Sequence, residues 1–232
     1  MLKILKAGNR GHTNKDGLDA YHTFSFADYY NSDYMGFRQL RAINEEWIQP
    51  REGYPSHSHK NMELIFYVID GILRHKDSKG GGGIVYPGEI HRITTGTGVT
   101  HSEHNASEQQ PVHLFHIWIN PDQQNLDPSF QQVAYQDRLV PGQLCLLVSP
   151  DGREGSATIH QDVVIYICKT VKAQKMEYKI ADQRHLWIQI TKGSLTLNGE
   201  FIESGDGIAI SDEPTLSIDI HANSEFLLFD LC

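Results

Sequence analysis

The chain has little cysteine: Cys145, Cys168 and Cys232 are its only three in 232 residues, scattered, odd in number and without a CxxC pair. No disulfide framework is suggested, and Cys168 within "VVIYICKT" reads as a small buried apolar residue. No run of ~18 apolar residues occurs, so no helix is predicted to cross a membrane. The apolar part of "MLKILKAGNRGH" is too short for a signal peptide, and the expected location is cytoplasmic. Long basic runs are absent and the net charge is −9, which disfavours direct nucleic-acid binding and docking on anionic membranes. "KGGGG" (79–83) lacks the following Lys-Ser/Thr and helix start of a phosphate loop. Ser25, Ser102 and Ser149 have no GxSxG context, which argues against a serine hydrolase. Helical periodicity is scarce as well.

Short strand-like runs fill the space instead. "MELIFYVIDG", "ILRHKD", "GIVYPGE", "HLFHIWINP", "QLCLLVSPDG", "VVIYICKTV", "HLWIQITKG", "SLTLNGE", "GIAISDEP" and "EFLLFDL" are separated by Gly, Pro, Asn and Asp. Five to eight residues per run, with turns about every ten, predict an all-β sandwich or barrel. Hydrophobic residues make up 39% and charged residues 21%, so a sizeable core is within reach. "KGGGG" is expected to be a loop, and "INPDQQNLDPSFQQ" (119–132) a crossover or linker. "MELIFYVIDGILRHKD" resembles "HLWIQITKGSLTLNGE", and "YPGEIHRIT" resembles "ESGDGIAIS". This weak internal repeat predicts two similar β-barrels in tandem, joined near residues 120–140. The two domains are expected at 1–130 and 131–232.

Histidine is the compositional outlier, at thirteen residues. "YPSHSHKNME" (54–63) holds His57, His59 and Glu63. Residues i and i+2 of a strand share a face, so the two imidazoles would point one way. An HxH pair also arises readily by chance, and two histidines on a solvent face explain it equally well. "GTGVTHSEHN" (96–105) changes the balance, because His101 and Glu103 repeat the device on a second strand. Two same-face pairs in one small barrel would set four ligands around one point. Three imidazoles and a carboxylate suit Fe(II), Ni, Mn, Co, Cu or Zn rather than Ca or Mg.

The 57–105 block resembles a cupin. Gly53, His57, His59, Glu63 and Gly71 stand as its first motif, and Gly88, Gly96, Gly98, His101 and Asn105 as its second. The second motif lacks its usual Pro and has two extra residues before His101. More specifically, the chain resembles the pirin family of bicupins. "HTFSFADYYNSDYMGFRQLRAIN" (22–44), "HSHKNMELIFYVIDG", "PGEIHRITTGTGVTHSE", "VHLFHIWINPD" and "IHQD" carry the likeness over nearly the whole chain. The resemblance implies two tandem jelly-roll β-barrels with few short helices. It also implies His57, His59, His101 and Glu103 as the metal ligands. In ordinary cupins Glu63 would be the fourth ligand, and here it is left beside the site or as a strand residue. Asn61 and the "HRI" stretch (His91–Ile93) depart from the family pattern, which bears on substrate more than on metal. In the second half, alignment by Gly193 on Gly71 and Gly205 on Gly88 puts Lys179, Ala181, Ile218 and Ile220 at the ligand positions. The C-terminal barrel is therefore predicted to be metal-free, with His160, His185 and His221 as surface or hydrogen-bonding residues. His12 and His22 are candidates for the pocket mouth.

Within the family, the likeness to bacterial members with quercetin 2,3-dioxygenase activity implies a flavonol or related aromatic enol and O₂ as substrates, with loss of carbon monoxide. Fe(II) is the expected ion, and Glu103 doubles as catalytic acceptor of the 3-hydroxyl proton. The alternative is a non-enzymatic, metal- or redox-dependent regulator that acts on a protein partner.

Overall fold

A computed structural model describes all residues Met1–Cys232. Strands make up nearly all of its regular structure, and the only helical elements are three 3₁₀ turns at Ala7–Asn9, Gln136–Arg138 and Arg153–Gly155. The strands are β1 (Leu2–Leu5), β2 (Gly11–Lys15), β3 (Leu18–His22), β4 (Leu40–Ile48), β5 (Gly53–His59), β6 (Glu63–Asp70), β7 (Leu73–Asp77), β8 (Gly82–Val85), β9 (Glu89–Thr94), β10 (Val99–Asn105), β11 (Val112–Ile119) and β12 (Ser129–Ala134). They continue as β13 (Leu144–Ser149), β14 (Ala157–Thr158), β15 (Val163–Thr170), β16 (Gln174–Lys179), β17 (His185–Lys192), β18 (Ser194–Leu197), β19 (Glu200–Glu203), β20 (Gly207–Ile210), β21 (Thr215–Ile220) and β22 (Ser224–Leu231).

One unit comprises Gly11–Gln136 and Pro150–Gln161. Its larger sheet runs β12-β9-β6-β11-β4-β3-β2 and its smaller one β5-β10-β7-β8. Period-2 alternation decides which side chains meet. On β6, Leu64, Phe66 and Val68 enter the core, as do Ile93 on β9, Ile48 on β4, and Val112 and Leu114 on β11. Leu73 and Val85 reach the same cluster from the smaller sheet. The core thus lies between the two sheets, and each such fully buried side chain stabilises by roughly 1.5–3 kcal/mol. The expected 119–132 linker ends in a strand, because β12 pairs with β9 from Ser129↔Thr94 to Ala134↔Glu89. Two of the five residues of "KGGGG" are likewise drawn into β8, where Gly82 and Gly83 pair with Lys76 and His75.

The other unit comprises Met1–Arg10, Asp137–Ser149 and Asp162–Cys232. Its sheets run β1-β20-β17-β22-β15-β13 and β16-β21-β18-β19. Leu186, Ile188, Phe226 and Leu228 of the first pack with Leu195, Leu216, Ile218 and Ile220 of the second. Ile218 and Ile220, which stand where ligands would be, are therefore core residues. Where the sequence suggests one join near residue 130, the chain crosses between units more than once. β1 pairs with β20 from Leu2↔Ile210 to Leu5↔Gly207, which ties the first residues to the C-terminal unit. The 150–161 segment stays with the first unit, where Thr158 N–H donates to Gln131 Oε1 at 2.7 Å and His160 Nδ1 meets Glu63 Oε1 at 3.0 Å.

Candidate metal centre

The middle strand of the site is β10, whose Val99, His101, Glu103 and Asn105 all turn inward. β5 borders it on one side, with His101 opposite His57 and Val99 opposite His59. The register then slips between His101 and Glu103, so that Glu103 faces Tyr54. Such a bulge re-aims a side chain within a ladder. Gly53 makes the approach possible: its φ is +156°, and a Cβ there would collide with the Glu103 carbonyl oxygen.

The three imidazoles form a near-equilateral group. Ring centroids are 4.7 Å apart for His57–His59, 4.6 Å for His57–His101 and 4.9 Å for His59–His101. One nitrogen from each lies within 4.8 Å of the others. Glu103 closes the group, with Oε1 2.8 Å from His101 Nδ1 and Oε2 3.9 Å from His57 Nε2. His57 Nδ1–H donates to the Pro55 carbonyl at 2.8 Å, which leaves Nε2 free to ligate.

These atoms have no better partners. His59 Nε2, both His101 nitrogens and both Glu103 carboxylate oxygens are buried without a hydrogen bond; the 2.8 Å approach is not aligned as one. A desolvated carboxylate and imidazoles left unpaired are costly, and a cation at their centre removes that cost. The donor set fits a borderline divalent transition ion. Protonation states agree with this. Burial alone would push the Glu103 carboxyl up, but His101, His116 and His57 outweigh it and hold it below the usual range. Burial, reinforced by His101 and His57, pulls His59 down to about 3, so it is a neutral imidazole at neutral pH.

Polar and aromatic groups surround the cluster. Tyr54 O–H donates to Glu46 Oε1 at 3.1 Å; burial first, then Glu46 and Glu103, pushes this phenol far up. Trp118 Nε1–H donates to His116 Nε2 at 2.9 Å, and the Trp118 ring meets His59 edge-on at 4.7 Å. Deeper in, His75 and His91 are buried, with His91 Nε2 3.1 Å from His75 Nδ1. Sequence reasoning misses His75, although alternation along "LRHKD" turns Leu73 and His75 to the same inner face.

Glu63 stands elsewhere. Leu64 and Phe66 take the core side of β6, and Glu63 accepts from Thr94 Oγ1 at 3.0 Å and meets His160. Burial raises its carboxyl. His12 pairs with Asp19 and His22 with Asn44 at 2.9 Å. In the C-terminal unit His185 bonds Ser211 at 2.8 Å and His221 bonds Ser194 at 2.8 Å.

The chain resembles known proteins along its whole length. Residues 6–119 match the pirin family and 146–231 the quercetinase C-terminal cupin domain. The quercetin 2,3-dioxygenase of Escherichia coli K12 is 42% identical over 231 residues, covering 100% of this chain and 99% of that protein. A putative quercetin 2,3-dioxygenase of Pasteurella multocida is 37% identical, with 100% of both covered. Among solved structures, the E. coli pirin YhhW in complex with nickel(II) superimposes with a TM-score of 0.94 at 41% identity, covering 100% of this chain and 99% of that one.

Proposed function

Because the chain belongs to the pirin family, we propose that it is a metal-dependent dioxygenase that opens the central ring of flavonols such as quercetin, consuming O₂ and releasing carbon monoxide. One observation carries the reading. Three imidazoles and a buried ionised carboxylate converge, with His59 Nε2, both His101 nitrogens and both Glu103 oxygens lacking a hydrogen bond, in a chain 42% identical to a quercetin 2,3-dioxygenase. His57, His59, His101 and Glu103 would hold the ion. Fe(II) is our first choice, and Ni, Mn, Co, Cu and Zn suit the same donors; nickel is the ion in the YhhW complex. When bound, such an ion would supply Lewis acidity toward an enol hydroxyl and, for the redox-active candidates, an electron-exchange partner for O₂.

The chain's own residues do the rest. Glu103 is ionised and takes the proton of the flavonol 3-hydroxyl onto a carboxylate oxygen. Tyr54 and Trp118 offer aromatic surface beside the cluster, suited to a flat ligand. Phe66, stacked on His116 at 4.3 Å, helps keep the interior dry. The metal belongs to the N-terminal cupin, and the C-terminal cupin serves without one. No helix is long and apolar enough to cross a membrane.

The test is oxygen uptake with quercetin, using protein stripped of metal and reloaded with each ion in turn, beside His59→Ala. Uptake that requires metal, tracks loss of flavonol absorbance and disappears in the variant is the expected result. Stoichiometric metal binding without uptake for any ion would overturn the enzymatic reading in favour of a metal-dependent regulator with a protein partner.

A further inference from the structure

β10 has two neighbours, and both present imidazole to it. On the β5 side His101 faces His57. On the β7 side Glu103 faces His75. Two donor triads result. His57, His59 and His101 have ligand atoms within 4.8 Å of one another, and so do His75, His101 and Glu103. The second triad is wholly buried, whereas the His57 side chain of the first is 33% exposed.

His75 is built like a ligand. Its Nδ1 lies 3.1 Å from His91 Nε2, while its Nε2 is buried with no hydrogen-bond partner. A hydrogen bond at one ring nitrogen fixes the tautomer and orients the other, as outer partners of metal-bound histidines do. With His75 Nδ1–H donating to His91 Nε2, the Nε2 lone pair is left for a cation. An ordinary buried histidine would satisfy Nε2 by donating to Glu103, yet both Glu103 oxygens also lack a hydrogen-bond partner. His91 reaches this pair from β9, in the opposite sheet, so the arrangement joins both layers of the unit.

We propose that the ion has two overlapping positions that share His101 and Glu103: an outer one completed by His57 and His59, and an inner one completed by His75 in the grip of His91. Metal is acquired at the outer position, through the partly exposed His57, and retained at the inner one, which solvent does not reach. The inference rests on the reading of this cluster as a metal centre and is independent of the substrate.

Cobalt(II) serves as the probe, by absorption spectroscopy and calorimetric titration without substrate. The His57→Ala/His59→Ala protein should still bind one equivalent, with a spectrum unlike that of the wild type. Adding His75→Ala to it should abolish binding. His75→Ala alone should bind cobalt but surrender it to a chelator faster than the wild type. A double variant with wild-type circular dichroism that binds no cobalt would overturn the proposal. So would a His75→Ala protein with the wild-type spectrum and release rate, a comparison that stands even if the double variant does not fold. Wild-type protein that binds no cobalt at all would instead remove the metal-centre reading itself.

Discussion

Glu103 is only 1% exposed yet ionised, because the surrounding imidazoles outweigh the burial penalty. Replacing it by Gln keeps the shape and removes the charge. Glu103→Gln is expected to fold as the wild type and to lose turnover by about 10²–10⁴-fold, the usual contribution of a positioned proton acceptor. Wild-type turnover in flavonol assays would eliminate that role. Neutral imidazole gives a second consequence. Unfolded histidine titrates near 6.5, whereas His59 and His91 are each held at about 3, chiefly by burial. A depressed folded value means that stability is fully present above about pH 6.5 and declines as pH falls toward 3. The melting temperature of metal-free protein should therefore drop steadily from pH 7 to pH 4, and less steeply in His91→Gln. A flat profile would contradict the buried, neutral state of these rings. Metal retention should weaken over the same range, since protons compete for the ligand nitrogens.

At the level of the strand, a bulge in β5, where Pro55 and Ser56 together oppose Ser102 of β10, sets the site, and Gly53 beside it sets how near β5 can come. Gly53→Ala places a methyl group against the Glu103 carbonyl at a positive φ. We expect a loss of about 1–3 kcal/mol, read as a lower melting temperature, together with weaker metal binding; an unchanged melt would mean that β5 can shift freely. Much of this layer was legible in the sequence. The strand-like runs around "MELIFYVIDG" and "HLFHIWINP" correspond to β6 and β11 because β-branched and aromatic residues dominate them. HxH and HxE spacing identified same-face pairs, since the side-chain period of a strand is 2. β12 was hidden by the prolines and polar residues ahead of it, and its pairing with β9 is a tertiary choice that no local pattern encodes. His75 and His91 were hidden for a related reason: nothing local reveals that β7 and β9, in different sheets, bring those rings within 3.1 Å.

For the molecule as a whole, the units do not correspond to halves of the sequence, because Met1–Arg10 belongs with residues 162–232. Leu5 is buried, and β1 pairs along β20. Deleting residues 1–6 should destabilise the C-terminal unit by at least the roughly 1.5–3 kcal/mol of one buried Leu, while cobalt still binds stoichiometrically to the folded fraction. Loss of cobalt from that fraction would show that β1 also serves the metal unit. A repeat in sequence reveals that two similar folds exist; it does not reveal which strand completes which sheet, because that depends on contacts some two hundred residues apart. The same ladder bears on synthesis. "LKIL" leaves the ribosome some two hundred residues ahead of its partner "GIAI". At about 5–20 residues per second, the interval is roughly 10–40 s. Throughout that time the nascent chain carries an apolar strand with no place to dock, a natural target for the chaperones that meet emerging polypeptides.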